Sequence, residues 1–146
     1  GGHLCGGRHG AHAMNADIAA LFEAARAAEA RAYAPYSRFR VGAAIRAASG
    51  AIHAGCNVEN AAYPVGACAE AGAISAMIVA GDRQIAAVLV FAAGPEPCTP
   101  CGACRQRLRE FASAAVPVHV AGPEGLRASH TLGDLLPHAF GPDHIA

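Results

Sequence analysis

Cys98, Cys101 and Cys104 stand at every third position of "PCTPCGACRQRL", residues 97–108. Two overlapping C-x-x-C pairs are therefore possible. They could hold a metal, form a redox couple, or do neither. Cys101 and Cys104 are spaced i, i+3 on the first turn of a helix that Pro100 can start, so both thiols can face one point. The positive end of that helix stabilises thiolates. Cys98 precedes the proline, belongs to the incoming loop, and is the spare cysteine. Cys68 in "ACAEAGA" also opens a helix and is the expected third ligand. Three thiolates on Zn²⁺ leave the fourth tetrahedral position open for water. Glu70, two residues beyond Cys68, cannot point along the thiol's direction but is long enough to reach that water.

Blander readings exist for each residue. Cys98 could join the other three in a closed structural site. A redox pair lacks a thioredoxin-like context. Cys68 alone is a buried small hydrophobe, and Glu70 alone a solvated helix residue. The combination is more specific: C-x-E at one helix start, P-C-x-x-C at the next, and a buried strand between. That arrangement, with His or Cys as the first ligand, resembles the signature of zinc deaminases.

The 146 residues suffice for one domain with one core. Hydrophobic residues make up 53%, much of it Ala, and there is no Trp, so a core of small, tightly packed side chains is expected. Net charge is zero, and all eleven basic residues are Arg. Without Lys, Schiff-base chemistry and a P-loop lysine are excluded. No basic stripe favours a nucleic-acid polymer, so a neutral small molecule fits better. No apolar run approaches the roughly 20 residues that span a bilayer. "GGHLCGGRHGAHAMN" lacks the apolar core of a signal peptide. Residues 1–13 are expected to be an unfolded leader before a natural start at Met14, with residues 14–146 as the single domain. A cytoplasmic setting with reduced cysteines follows, and Cys clusters there favour metal or catalysis.

The elements must bring Cys68 and Cys101 together. "ADIAALFEAARAAEARAYAP" is predicted as a helix capped by Asp17 and stopped by Pro35. "RFRVGAAIRA" and "AIHAGCNVE", joined by the "SG" turn, are predicted as a hairpin. "GACAEAGAISAMIVAG" is a helix with Gly81 as its C-terminal cap. "AAVLVFAA" suits a strand buried on both faces. "GACRQRLREFA" is a helix of about three turns, "PVHVAG" a strand, and "TLGDLLP" a short helix capped by Thr131. The order α-β-β-α-β-α-β-α suggests an α/β/α sandwich with a mixed sheet.

With "APYSRFRVGAA", "GCNVENAAY", "CAE" and "PCGACRQRLREF" in hand, the chain resembles the small homotetrameric cytidine deaminases, from about Ala34 to Glu110. The resemblance implies a three-layer α/β/α sandwich with a mixed five-stranded sheet and one Zn²⁺ per chain on Cys68, Cys101 and Cys104. It implies hydrolytic deamination of cytidine and deoxycytidine in pyrimidine salvage, by a zinc-bound hydroxide attacking C4 with Glu70 as proton shuttle. Asn57 and Glu59 would hydrogen-bond the ribose, and Phe39 and Ala69 would lie against the nucleoside. Tyr63 would reach a neighbouring subunit's site, and Phe140 would cover the pyrimidine across an interface of a homotetramer with shared sites. One departure stands out. The family commonly has Arg after the C-A-E glutamate, bonded to a thiolate, and this chain has Ala71. Three thiolates on Zn²⁺ sum to minus one, so Arg105 is expected to carry the compensation.

Overall fold

The computed structural model describes residues 14–145. The expectation for residues 1–13, Cys5 included, lies outside them. The chain runs α1 (Ala16–Glu29), β1 (Val41–Ala47), β2 (Ile52–Cys56), α2 (Ala69–Val79), β3 (Ile85–Ala92), α3 (Gly102–Arg109), β4 (Pro117–Gly122), β5 (Gly125–Thr131) and α4 (Leu132–Leu135). The sheet order is β2-β1-β3-β4-β5, with β3 and β4 parallel and the other neighbours antiparallel.

Alternation along β3 builds the three layers. Val88 and Val90 face one way, onto a cluster with Ala73 and Met77 of α2 and Leu108 of α3. Leu89 and Phe91 face the other way, onto Leu21, Phe22 and Ala25 of α1. Phe22 meets Phe91 edge-on at 5.5 Å between ring centroids. Small residues let the layers close. A Cβ on Gly55 of β2 would strike the Ala73 backbone nitrogen and stand 2.6 Å from the Ala69 carbonyl oxygen, so strand and helix meet backbone to backbone.

The strand directions place the site. β1 runs antiparallel to both β2 and β3, so β2 and β3 point the same way. The helices that follow them, α2 and α3, therefore start at the same edge of the sheet.

Local signals differ from expectation at four places. Asn15, not Asp17, caps α1, its side chain accepting from the Ile18 N–H at 2.9 Å. Asp17 lies in the first turn instead. The helix ends at Glu29, well before Pro35, through tightened bonds from Arg31 to Ala28 and Ala32 to Glu29. α3 spans eight residues, nearer two turns than three. β5 was not read from the sequence and follows β4 across the short Pro123–Glu124 turn. At the end of α2, Gly81 takes φ 98° one residue beyond the cap, with Gly81 bonded to Ile78 and Asp82 to Met77.

Candidate active site

Cys68 is the residue that caps α2, Cys101 caps α3, and Cys104 lies one turn into α3. Their sulfurs all lie within 4.8 Å of one another, with Cys68 and Cys101 at 3.9 Å. Tetrahedral Zn²⁺ with bonds of about 2.3 Å separates its sulfur ligands by about 3.8 Å, so the cup fits zinc. Burial pushes the Cys68 and Cys104 thiols above their ordinary value, and their neighbours' charge adds to this. A bound cation reverses that balance and holds them as thiolates. Cys98 is half-buried, lines the adjoining cavity, and is not part of the three-sulfur cluster. Its sulfur contacts the Thr99 carbonyl at 3.9 Å. The four-thiol closed site is therefore not assembled, and the cup keeps an open side.

Glu70, in the first turn of α2, is only 4% exposed. Burial raises its pKa above the ordinary carboxylate value, while its own backbone N–H, the Cys104 thiol and the Arg107 charge oppose the rise. It faces a cavity of about 580 Å³ that Phe39, Asn57, Glu59, Tyr63, Cys68, Ala69 and Cys101 also line. That volume is in the range of small-molecule sites.

The segment before β1 forms another part of the cavity wall. Arg38 takes a left-handed conformation, φ 62°, and Phe39 follows it, 44% exposed at the cavity. Asn57 fixes this segment: its Oδ1 accepts from the Val41 N–H at 2.9 Å and its Nδ2 donates to the Phe39 carbonyl at 2.8 Å. Glu59 accepts from the backbone N–H groups of Tyr36 and Ser37, at 2.9 and 3.1 Å, and from the Ser37 hydroxyl. The Ser37 hydroxyl, helped by those N–H groups, holds the Glu59 carboxyl below the usual range. Capacity remains. Asn57 keeps one N–H and one lone pair free, and Glu59 one acceptor site, enough to receive one hydroxyl from both sides.

Two expected residues stand apart. Phe140 is not among the cavity's lining residues. It stacks on His144 at 5.2 Å, and its carbonyl accepts from Gln106 of α3 at 2.9 Å. Arg105 does not touch a thiol. Its guanidinium donates to the carbonyls of Pro100 and Leu135, both at 2.7 Å, and to the Thr99 hydroxyl at 3.0 Å. It fastens the loop before α3 to α4. Expected to compensate the thiolates, Arg105 makes its hydrogen bonds elsewhere; the Arg that reaches a sulfur is Arg107, whose Nη1 donates to Cys104 Sγ at 3.6 Å. Helical spacing carries the signal for Arg107, because 104 and 107 share a helix face and 104 and 105 do not.

Sequence reasoning also missed Ser37 and Arg127. Arg127, on β5, is 8% exposed. It donates to the Gly94 and Glu96 carbonyls, at 2.5 and 3.1 Å, and pairs with Glu124. It thereby anchors the loop that leads to Cys98.

Comparison with known proteins agrees with this geometry. The family model described as "Cytidine and deoxycytidylate deaminase zinc-binding region" matches residues 15–120. A cytidine deaminase of Sporosarcina psychrophila is 39% identical over 130 residues, covering 89% of this chain and 96% of that protein. One from Mycobacterium tuberculosis is 40% identical, covering 81% and 85%. The crystal structure of cytidine deaminase from Burkholderia pseudomallei superposes with a TM-score of 0.80 at 43% identity, covering 87% of this chain and all of that one. An open Cys₃ cup beside a buried glutamate, on a chain matched over most of its length, places this protein in the zinc-binding cytidine and deoxycytidylate deaminase family.

Proposed function

We propose that this chain hydrolytically deaminates cytidine and deoxycytidine to uridine and deoxyuridine, in pyrimidine salvage. The observation that carries this reading is Glu70, buried beside three convergent thiols at the floor of a cavity sized for a nucleoside. Cys68, Cys101 and Cys104 would hold the zinc, which when bound would supply Lewis acidity that eases deprotonation of water. Glu70 accepts that proton and delivers it to N3 as the water oxygen bonds to C4. It then takes the second proton, from the new C4 hydroxyl, and delivers it to the amino group, so that the C4–N bond breaks, ammonia leaves and the C4 carbonyl of uridine remains. A carboxyl that must be base and then acid works best with a pKa raised toward neutrality, and burial pushes Glu70 in that direction. Phe39 and the Ala69 backbone flank the base. Asn57 donates to, and Glu59 accepts from, a ribose hydroxyl. Both are held in place by bonds to the 36–41 segment.

The same reading gives a homotetramer with shared sites in the cytoplasm. It is supported by exposed aromatics near the cavity and on the tail: Tyr36 and Tyr63, packed at 5.9 Å, and Phe140, 57% exposed. Tyr63 and Phe140 act across interfaces in this assembly. No helix among the described residues is long and apolar enough to cross a membrane.

Mixing the purified protein with cytidine and following ultraviolet absorbance tests the activity. Conversion to uridine with one zinc per chain is expected. A zinc-replete protein that leaves cytidine and deoxycytidine unchanged would refute the substrate assignment. A solution mass equal to one 14.7 kDa chain would refute the tetramer.

A further inference from the structure

The cup carries more negative charge than its metal balances. Three thiolates and one Zn²⁺ leave a net charge of minus one, and Glu70 lies buried alongside. α2 supplies no side-chain cation: "AEAGAISAMIV" contains no Arg, Lys or His. The N-terminal dipoles of α2 and α3 return only part of a charge. Arg105 is spent on three oxygen acceptors away from the sulfurs.

Arg107 is placed differently. It lies three residues after Cys104 on the same side of α3, and its Nη1 donates to Cys104 Sγ at 3.6 Å. A guanidinium does not lose its proton in a protein, so this is a permanent cation. Among the described residues, it is the Arg hydrogen-bonded to a cysteine of the cup.

We propose that Arg107 is the charge-compensating residue of the thiolate cup, tightening its hold on zinc through the Cys104 sulfur. Arg107 is a positioning residue. It acts through Cys104 and does not touch the substrate. The consequence for turnover rests on the proposed deaminase function, whereas the consequence for metal binding does not. Losing an outer partner of a metal ligand costs 10–100-fold in affinity. Arg107 is exposed to solvent, which screens its charge, so the lower end of about tenfold applies.

The test compares wild type, Arg107→Gln and Arg107→Lys in competition with a chromophoric zinc chelator at one pH, in low and high salt. The melting of the metal-free proteins is measured alongside. Arg107→Gln should bind zinc about tenfold more weakly at low salt. That gap should narrow at high salt, where screening shortens the reach of the missing charge. Arg107→Lys should recover most of the loss, and the metal-free proteins should melt together. Wild-type zinc affinity in Arg107→Gln overturns the proposal. Equal, salt-independent weakening in both variants also overturns it, because shape rather than charge would then matter. Should wild type bind zinc but fail to convert cytidine, the activity reading falls while the zinc comparison still decides the role of Arg107.

Discussion

Glu70 is buried where a charged carboxylate is costly, yet it sits beside the groups that would use its proton. Glu70→Gln keeps the shape and removes the ability to accept a proton. Zinc content should stay at one per chain, because the substitution leaves all three thiol ligands in place. Turnover of cytidine should fall by about two to four orders of magnitude. Near-normal turnover in a zinc-replete variant would remove Glu70 from the mechanism. At this scale the three-cysteine cluster and the glutamate beside it were legible, because residue type and i, i+3 spacing dictate where thiols on a helix start can meet. The Arg that reaches a sulfur was not. Adjacency in sequence favoured Arg105, but that side chain points across to Pro100 and Leu135, and helical geometry brings Arg107 to the sulfur. Asn57 and Glu59 were legible as a polar pair, but not as the residues that also shape the Phe39 segment. Those bonds join positions 16 to 23 residues apart.

Elements hold the cup through close packing rather than through large side chains. Gly55 of β2 lies against Ala69, Gly72 and Ala73 of α2, the helix whose start carries Cys68 and Glu70. Backbone atoms cannot step aside for a Cβ there. Gly55→Ala should destabilise by about 2–3 kcal/mol and loosen zinc as well. Gly102→Ala, where a Cβ would meet nothing within 4 Å, should be neutral or stabilising by up to about 1 kcal/mol. Denaturant midpoints for the two variants check this, and equal effects would dismiss the packing argument. The turn after α2 adds a pH-dependent tie. Gly81 directs Asp82 toward β2, where its carboxylate meets His53 Nε2 at 2.8 Å. The His53 hydrogen bond, with a further one from Ser49, holds Asp82 below the usual carboxylate value. A depressed folded-state pKa gives stability that is present above the unfolded value, about 3.9, and lost as pH falls through the lower folded value. The stability gap between wild type and Asp82→Asn should therefore be present above about pH 4 and close in acid below it. A gap that persists unchanged at pH about 2.5 would rule out the tie. Eight elements were legible from periodicity and turn residues. β5 was not, because "GLRASHT" mixes buried, half-buried and exposed positions, and it places Arg127 inward.

Across the whole molecule, zinc joins two helix starts but does not build the core. Two apolar clusters cover the two faces of a five-stranded sheet, and neither draws on the cysteine cup. The metal-free chain should therefore keep its secondary structure, unlike a small zinc module that unfolds without metal. Zinc should still stabilise, since it binds the folded cup and not an open chain. At free zinc about 100 times its Kd, the gain is about 2.7 kcal/mol. For a domain of this size, 1 kcal/mol moves Tm by about 2–4 °C, so chelation should lower Tm by about 5–10 °C. Activity should vanish in the same titration and return with added zinc. Scanning calorimetry and circular dichroism, with and without chelator at one protein concentration, separate the possibilities. Concentration must be fixed because an oligomer's Tm depends on it. Collapse of the helical signal at about 25 °C on chelation would make the site a structural staple, and the open cup would lose its catalytic meaning. An unchanged Tm would mean that zinc does not bind the cup appreciably tighter than its free concentration, and the Cys68–Cys101–Cys104 assignment would fall with it.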